Sequence, residues 1–311
     1  MRAESLATTT DMSREQWLEA RRQGIGGSDV SAIAGLNKWK SPIGVYLDKT
    51  GQSPDEDTAG EAAYWGNVME DVVAQEFTIR TGIRVRKRNA ILKHPEHEFM
   101  LANVDRLIVG KREGLECKTA SEYLKGDWEN EEIPAAYLLQ CQHYMAVTGY
   151  QAWHIAVLIG GNKFIHKKIE RDEELIEYLI GIEKDFWINH VLAEVPPVFD
   201  GSDASSELLK ALYPQAEPLS EINLSNDIEQ MLDAMDQLAE DIKIAEKQKK
   251  EYENQIKNIM GENEKGNTLN RVVFWKNYES NRIDSKRLKV EQPDLYKKYT
   301  NTTTARRFTV K

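Results

Sequence analysis

Glu116 and Lys118 stand two residues apart in the stretch "GLECKT", with Cys117 between them. Along an extended strand alternate residues project from one face, so this carboxylate and amine share a side while Leu115 and Cys117 point the other way. The preceding extended stretch, "NVDRL", carries Asp105, and "KREG" between the two is a turn signal. If the chain doubles back there, two carboxylates and one amine converge at a sheet edge. Hard oxygen ligands of this kind suit Mg2+ or Mn2+. A bound cation stabilises the charge that builds on a phosphate under attack and lowers the pKa of a bound water, while a lysine beside it orients that water or offsets charge. This is the chemistry of phosphodiester hydrolysis. An E-x-K pair is equally compatible with an ordinary ion pair on a solvent face, and the pattern alone leaves both readings open.

Three further features bear on the choice. Glu70, in "YWGNVMEDVV", lies on a helical stretch one turn after Trp65 and Gly66, where it is either a surface group or a further metal ligand. In "YLLQCQHY", Tyr137, Gln140 and Tyr144 fall at i, i+3 and i+7 on one helical face, as a polar core patch or as hydrogen-bonding groups for a phosphate or a water. Arg21 and Ser28 flank a turn containing Gly24, Gly26 and Gly27 that opens a helix, a combination that suits an anion.

The elements that must position these groups follow from pattern. Ser13 caps a helix ended by the glycines, and Ser28 or Asp29 is expected to cap the next. "IGVYLDKTG" is a short helix stopped at Gly51, and the polar residues 51–60 are expected to be mobile. A long helix follows, with Met69, Val72, Val73 and Phe77 as its apolar face and Gly82 as its end. "RVRKRNAILKH", "FMLANVDRLIVG" and "LECKT" read as strands, "IPAAYLLQCQHYMAVTG" as a helix, and "AWHIAVLIGGNKFIHKKIE" as a hairpin about Gly160 and Gly161. An amphipathic helix then runs to Pro196. The order implies a mixed sheet with helices packed on it.

Near residue 200 the texture changes to a linker-like stretch, followed by a heptad seam of Ile228, Met231, Met235, Leu238, Ile242, Ala245, Lys249, Tyr252, Ile256 and Ile259. That spacing fits a coiled coil or a long helix folded back on its own domain. From Arg271 to Lys311 eleven Lys/Arg face four Asp/Glu, a basic surface suited to nucleic acid or a solvated tail, although the net charge of -10 opposes such a partner in bulk.

The 311 residues suit one large domain, or one domain with an appendage, and 41% hydrophobic with 30% charged residues describes a soluble chain with a core. No apolar run approaches the ~20 residues of a membrane span, so no membrane partner is expected. The two cysteines, Cys117 and Cys141, are too few for a disulfide framework or an iron–sulfur cluster, and a reducing, cytoplasmic setting is expected.

The pieces "WLEARRQGIGGSDVSAIAG", "YWGNVMEDVV", "NVDRL", "LECK" and "YLLQCQHYMAVTG" stand in one order along the chain. Together they resemble the lambda-exonuclease family, and within it the YqaJ-type viral recombinases, of the PD-(D/E)xK nuclease superfamily. The resemblance spans residues 14–200. It implies an α/β (α+β) fold with a restriction-endonuclease-like core, a mixed sheet flanked by helices, and the helical coiled-coil C-terminal extension of longer YqaJ-type members. The expected divisions are a nuclease domain (1–200), a linker (201–223), a coiled-coil helix (224–260) and a basic C-terminal region (261–311).

Carried over position by position, the resemblance makes Asp105 and Glu116 metal ligands, Lys118 the catalytic lysine and Glu70 the helix carboxylate near the metals. Gln140 and Tyr144 match the family's Q-x(3)-Y element, with Tyr137 beside them facing DNA. Arg21 and Ser28 match the residues that grip a 5′-phosphate. The implied reaction is 5′→3′ digestion of one strand of linear duplex DNA, with Mg2+ as cofactor and Mn2+ as substitute, leaving a 3′ single strand. Implied partners are double-stranded DNA ends, a single-strand annealing protein and further copies of the chain, since the short enzymes are toroidal trimers. The sequence departs from the family in having Val104 where a proline precedes the first ligand. An endonuclease of the same superfamily, or a non-catalytic DNA-binding or scaffold protein, are the alternative readings.

Overall fold

A strand that is apolar on both faces has to be covered on both sides, and "AWHIAVLI" is such a strand. The computed structural model, which describes residues 3–54, 60–129 and 132–310, builds the first of two compact units around it. This unit runs to Pro214 and contains, in chain order, β1 (Glu4–Thr8), α1 (Arg14–Arg22), β2 (Ile25–Gly26), α2 (Gly27–Ile33), α3 (Pro42–Lys49), α4 (Glu61–Thr81), β3 (Val85–Lys87), β4 (Ala90–Lys93), β5 (Met100–Asn103), β6 (Arg106–Ile108), β7 (Glu113–Ala120), α5 (Ala135–Thr148), β8 (Ala152–Ile159), β9 (Lys163–Glu170), α6 (Glu173–Phe186) and α7 (Asp203–Leu212). A 3-10 helix (Glu122–Trp128) follows β7, and a π-helical turn (Trp187–Leu192) extends α6.

The central sheet has the order β3-β6-β7-β8-β9 and is mixed, as expected. The β7–β8 pair is parallel, with Glu116 beside Ile155 and Lys118 beside Val157, and every other pair is antiparallel. A parallel pair needs a crossover, and α5 is that crossover. Helix α4 covers one face of the sheet, where Val73, Ala74 and Phe77 meet Leu115, Ile108 and Ala156. Helix α5 covers the other, where Cys141, Tyr144 and Met145 meet Ile155 and Val157. A buried His143–Glu183 contact of 2.9 Å ties α5 to α6, and the other ring nitrogen of His143 reaches the Leu101 carbonyl at 2.8 Å. These two contacts fix α5 against β5, the strand that leads to Asp105.

Several sequence expectations are revised. "RVRKRNAILKH" and "FMLANVDRLIVG" are not single strands. Each breaks where the chain passes between the central sheet and a second, four-stranded sheet of order β1-β4-β5-β2. Strand β1, absent from the sequence reading, pairs antiparallel with β4. Helix α2 starts two or three residues earlier than expected, on Gly26 as cap, because Asp29 works from inside the helix and accepts the Gly26 N–H at 3.1 Å. Val72 is exposed, and Ala74 takes its place in the buried face of α4. The expected linker 201–223 contains α7, whose Leu208 and Leu212 pack on the core beside α3. The polar stretch expected to be mobile falls in part on residues 55–59, outside the described residues.

The second unit begins at Gln215 and holds α8 (Asn226–Met260), a hairpin of β10 (Lys265–Asn267) and β11 (Val272–Phe274), α9 (Ser285–Glu291) and α10 (Pro293–Lys298). The heptad stretch is thus one continuous helix whose Met231, Leu238 and Ile242 are exposed, and the basic region carries two short helices. Among the described residues no helix is long and apolar enough to cross a membrane.

Gly27 sets how closely α2 approaches α5. A Cβ there would lie 2.6 Å from Tyr144 Cε1 and 3.2 Å from Gln140 Cγ, and both neighbours are buried. Gly27→Ala is therefore expected to lower stability by about 1–3 kcal/mol through overpacking. Denaturant unfolding of the two proteins checks this, and an unchanged midpoint would refute the close contact.

Candidate active site

Backbone geometry alone puts Glu116 and Lys118 on one face of β7, and there the Lys118 ammonium meets Glu116 Oε1 at 2.6 Å. Asp105 sits at the step between β5 and β6. The pairing of Arg106 with Leu115 brings it alongside β7, where its Oδ2 accepts the Cys117 N–H at 2.8 Å. The three groups expected to converge do so.

Helix α5 adds the next layer. Gln140 Nε2 donates to Glu116 Oε1 at 2.7 Å and to the Tyr144 hydroxyl at 2.8 Å, and Tyr144 in turn donates to the Asn103 carbonyl at 3.3 Å. Tyr137 places its ring 5.2 Å from Lys118 Nζ and stacks on Trp128. Gln142 points elsewhere, bonding the Glu170 carbonyl and the Asp172 N–H.

The electrostatics are those of crowded charge. Burial and the neighbouring Glu116 carboxylate raise the Asp105 pKa well above the usual carboxylate range, which Lys118 only partly counters. Burial works against the Lys118 ammonium, but the Glu116 and Asp105 carboxylates overcome it and raise its pKa. Burial, with the same two carboxylates, raises the Cys117 thiol so far that it is no nucleophile. Glu116 Oε2 is buried without a hydrogen-bond partner. Two adjacent carboxylates with one orphaned oxygen are a donor set that fits a hard divalent cation.

Glu70 is placed differently. It forms an ion pair with Arg106, which also binds Asp71 at 2.5 Å and the Asp105 carbonyl at 2.6 Å. Among the described residues no three His, Cys, Asp or Glu side chains are gathered as a ready-made metal cage. Arg106 is a member of this site that sequence reasoning missed, since an arginine after the aspartate carries no spacing signal.

Arg21 and Ser28 do come together, with Arg21 Nη2 donating to Ser28 Oγ at 3.3 Å and the guanidinium over the Trp17 ring at 4.6 Å. The Gly26 N–H at this turn is taken by Asp29. Buried Asp29 pairs with Lys49 at 2.7 Å and Lys40 at 3.1 Å, and Lys49 also holds the Arg21 carbonyl at 3.1 Å. Burial pushes Asp29 up, but Lys40, Lys49 and Arg21 outweigh it and its pKa lies well below the usual range. Lys40 and Lys49 were also missed, because only the packing of α3 brings them to Asp29. Since Gly27 abuts both Tyr144 and Gln140, this cluster and the acidic group share one contact.

Asp105 has a raised folded-state pKa, so its contribution favours folding at low pH and is lost as pH rises from the unfolded carboxylate value through the folded one. Above that window the ionised carboxylate is a burden. Asp105→Asn, which keeps the acceptor for Cys117, is therefore expected to raise the melting temperature at neutral pH in metal-free buffer. A lower melting temperature would contradict the charge crowding.

The YqaJ-like viral recombinase domain family matches residues 16–151, a span that includes every site residue above. The protein of Bacillus subtilis (strain 168) described as "Uncharacterized protein YqaJ" is 49% identical over 312 aligned residues, covering 100% of this chain and 98% of that protein. "Uncharacterized protein R354" of Acanthamoeba polyphaga mimivirus is 22% identical over 151 residues, 44% of this chain and 27% of that protein. Among solved structures, an alkaline exonuclease (LHK-Exo) from Laribacter hongkongensis superposes with a TM-score of 0.51 at 21% identity, covering 58% of this chain and 94% of that one. Over that 58% the chain shares the fold of this alkaline exonuclease, and it belongs to the YqaJ-like viral recombinase family.

Proposed function

We propose that this protein is a Mg2+-dependent exonuclease that digests one strand of linear duplex DNA from its 5′ end and leaves a 3′ single strand. The observation that carries this reading is the buried, unpartnered Glu116 oxygen beside the Asp105 carboxylate, with Lys118 at its side. Asp105 and Glu116 would hold the cation, and Glu70 on α4 would join them as a third carboxylate on leaving its ion pair with Arg106. When bound, Mg2+ or Mn2+ supplies Lewis-acid stabilisation of a phosphate under attack and lowers the pKa of water.

The chain's own groups have separable tasks. Lys118 keeps its proton at neutral pH, so it serves as a fixed positive charge and donor to a phosphate oxygen, not as a base. Gln140 holds the Glu116 carboxylate in one orientation, and Tyr144 braces Gln140. Arg21 and Ser28 would receive the terminal 5′-phosphate, which makes attack depend on an end. The 3′ strand left behind is the form a single-strand annealing protein takes up, and ring-like assembly of several copies would keep the enzyme on its track.

Incubation of linear and covalently closed duplex DNA with Mg2+ tests the reading. Linear DNA is expected to be degraded and circles left intact; cutting of circles would mark an endonuclease, and no hydrolysis with Mg2+ or Mn2+ a non-catalytic DNA-binding or scaffold protein. Lys118→Ala is expected to slow digestion about a hundred- to a thousand-fold with DNA binding retained. Loss of one charge-assisted phosphate contact in Arg21→Ala should cost about ten- to a hundred-fold on 5′-phosphorylated ends. An equal loss on 5′-hydroxyl ends would remove Arg21 from phosphate recognition.

A further inference from the structure

Helix α8 leaves its heptad seam uncovered. Met231, Met235, Leu238, Ile242, Tyr252 and Ile256 are all exposed, and full burial is confined to the last turn, where Met260 sits beside Gly266 of the β10–β11 hairpin. A long helix draws most of its stability from the packing of its apolar face, and surface ion pairs such as Lys243–Glu240 and Lys257–Glu253 contribute little. A continuous apolar stripe of this kind marks a contact surface.

Charge identifies what covers it. From Asn226 to Asp241 the helix carries six Asp/Glu and no Lys/Arg, whereas from Ile242 to Met260 it carries five Lys and three Glu. One half is strongly acidic and the other net basic, so α8 is complementary to a second α8 that runs the opposite way. The seam agrees. Reversing a second copy about the point between Lys243 and Ile244 pairs all ten seam positions among themselves, with Met231 facing Ile256, Met235 facing Tyr252 and Leu238 facing Lys249.

Lys249, the one charged member of the seam, discriminates between the two directions. In the reversed register its ammonium lies within about one turn of Asp241 of the second copy, and the two Lys249 groups stand about 16 Å apart along the axis. A parallel pair in register would set Lys249 against Lys249 in one layer, put Asp241 beside Glu246 at the flanks, and lay the two acidic halves together. We propose that α8 joins two copies of this chain as an antiparallel coiled coil. Each chain enters α8 at Asn226, so the pair holds its two entry points at opposite ends, about 50 Å apart. The proposal does not depend on the exonuclease reading.

The test uses two preparations of the full-length chain, Met231→Cys and Ile256→Cys, both changed at exposed positions, with a short bismaleimide as cross-linker. The wild type, whose Cys117 and Cys141 lie in the first unit, is the blank. A mixture of the two variants is expected to give a cross-linked dimer on a denaturing gel. Each variant alone should match the blank, because like positions lie about 37 Å apart in this register. Linkage between identical variants would mark a parallel pair, and no linkage in the mixture would mean that α8 is covered by its own chain or by another protein; either result overturns the proposal. Light scattering gives a second measurement. Leu238→Asp, also at an exposed residue, is expected to lower the wild-type mass about two-fold by separating the paired copies. An unchanged mass, or a monomeric wild type, would likewise overturn the antiparallel pair.

Discussion

Two carboxylates and one ammonium share a largely buried space, and most of the first unit is arranged to sustain that. Like charges held close out of water repel, so Asp105 resists ionisation beside Glu116, while Lys118 is gripped the more firmly. The surrounding donors come from several levels of structure. A backbone N–H of β7 serves Asp105, and a side chain of α5 serves Glu116. One oxygen is left over. A fold selected for stability alone would replace such a group with apolar side chains, so its persistence is a sign of use.

The geometry that permits this is modest. Parallel pairing of β7 with β8 requires α5 to cross over the sheet, and that crossing lays Gln140 and Tyr144 over Glu116. The buried His143–Glu183 contact and the Leu101 carbonyl fix the position of α5. Helix α2 approaches Gln140 and Tyr144 so closely that only a glycine fits at position 27. The Arg21–Ser28 turn and the acidic pair are thus linked through the same two side chains of α5.

Much of this was legible in the sequence wherever backbone periodicity determines the outcome. Glu116 and Lys118 share a face because strands alternate, and Tyr137, Gln140 and Tyr144 share one because helices repeat. Asp105 was expected across from the Glu116 strand and lies there, but the step between two sheets on which it stands leaves no trace in an apolar pattern common to both strands. The Asp29–Lys40–Lys49 cluster was invisible because its members meet only through the packing of α3 and the loop before it on α2. Helix α7 was hidden by its neighbours: Leu208 and Leu212 follow a Ser202 cap, but the flanking Gly, Ser and Pro residues outweigh them in composition. The five-residue β1, half exposed at a sheet edge, offers too little alternation to register.

The parallel β7–β8 pair has a consequence for how the protein is made. Such pairing is non-local, and β7 gains its inner neighbour only after the whole of α5 and β8 has been synthesised. Until then Glu116 has neither Gln140 above it nor a covered sheet behind it. A ribosome-bound or truncated chain therefore carries every acidic side chain of the site without their arrangement, and the site itself arrives only with closure of the domain.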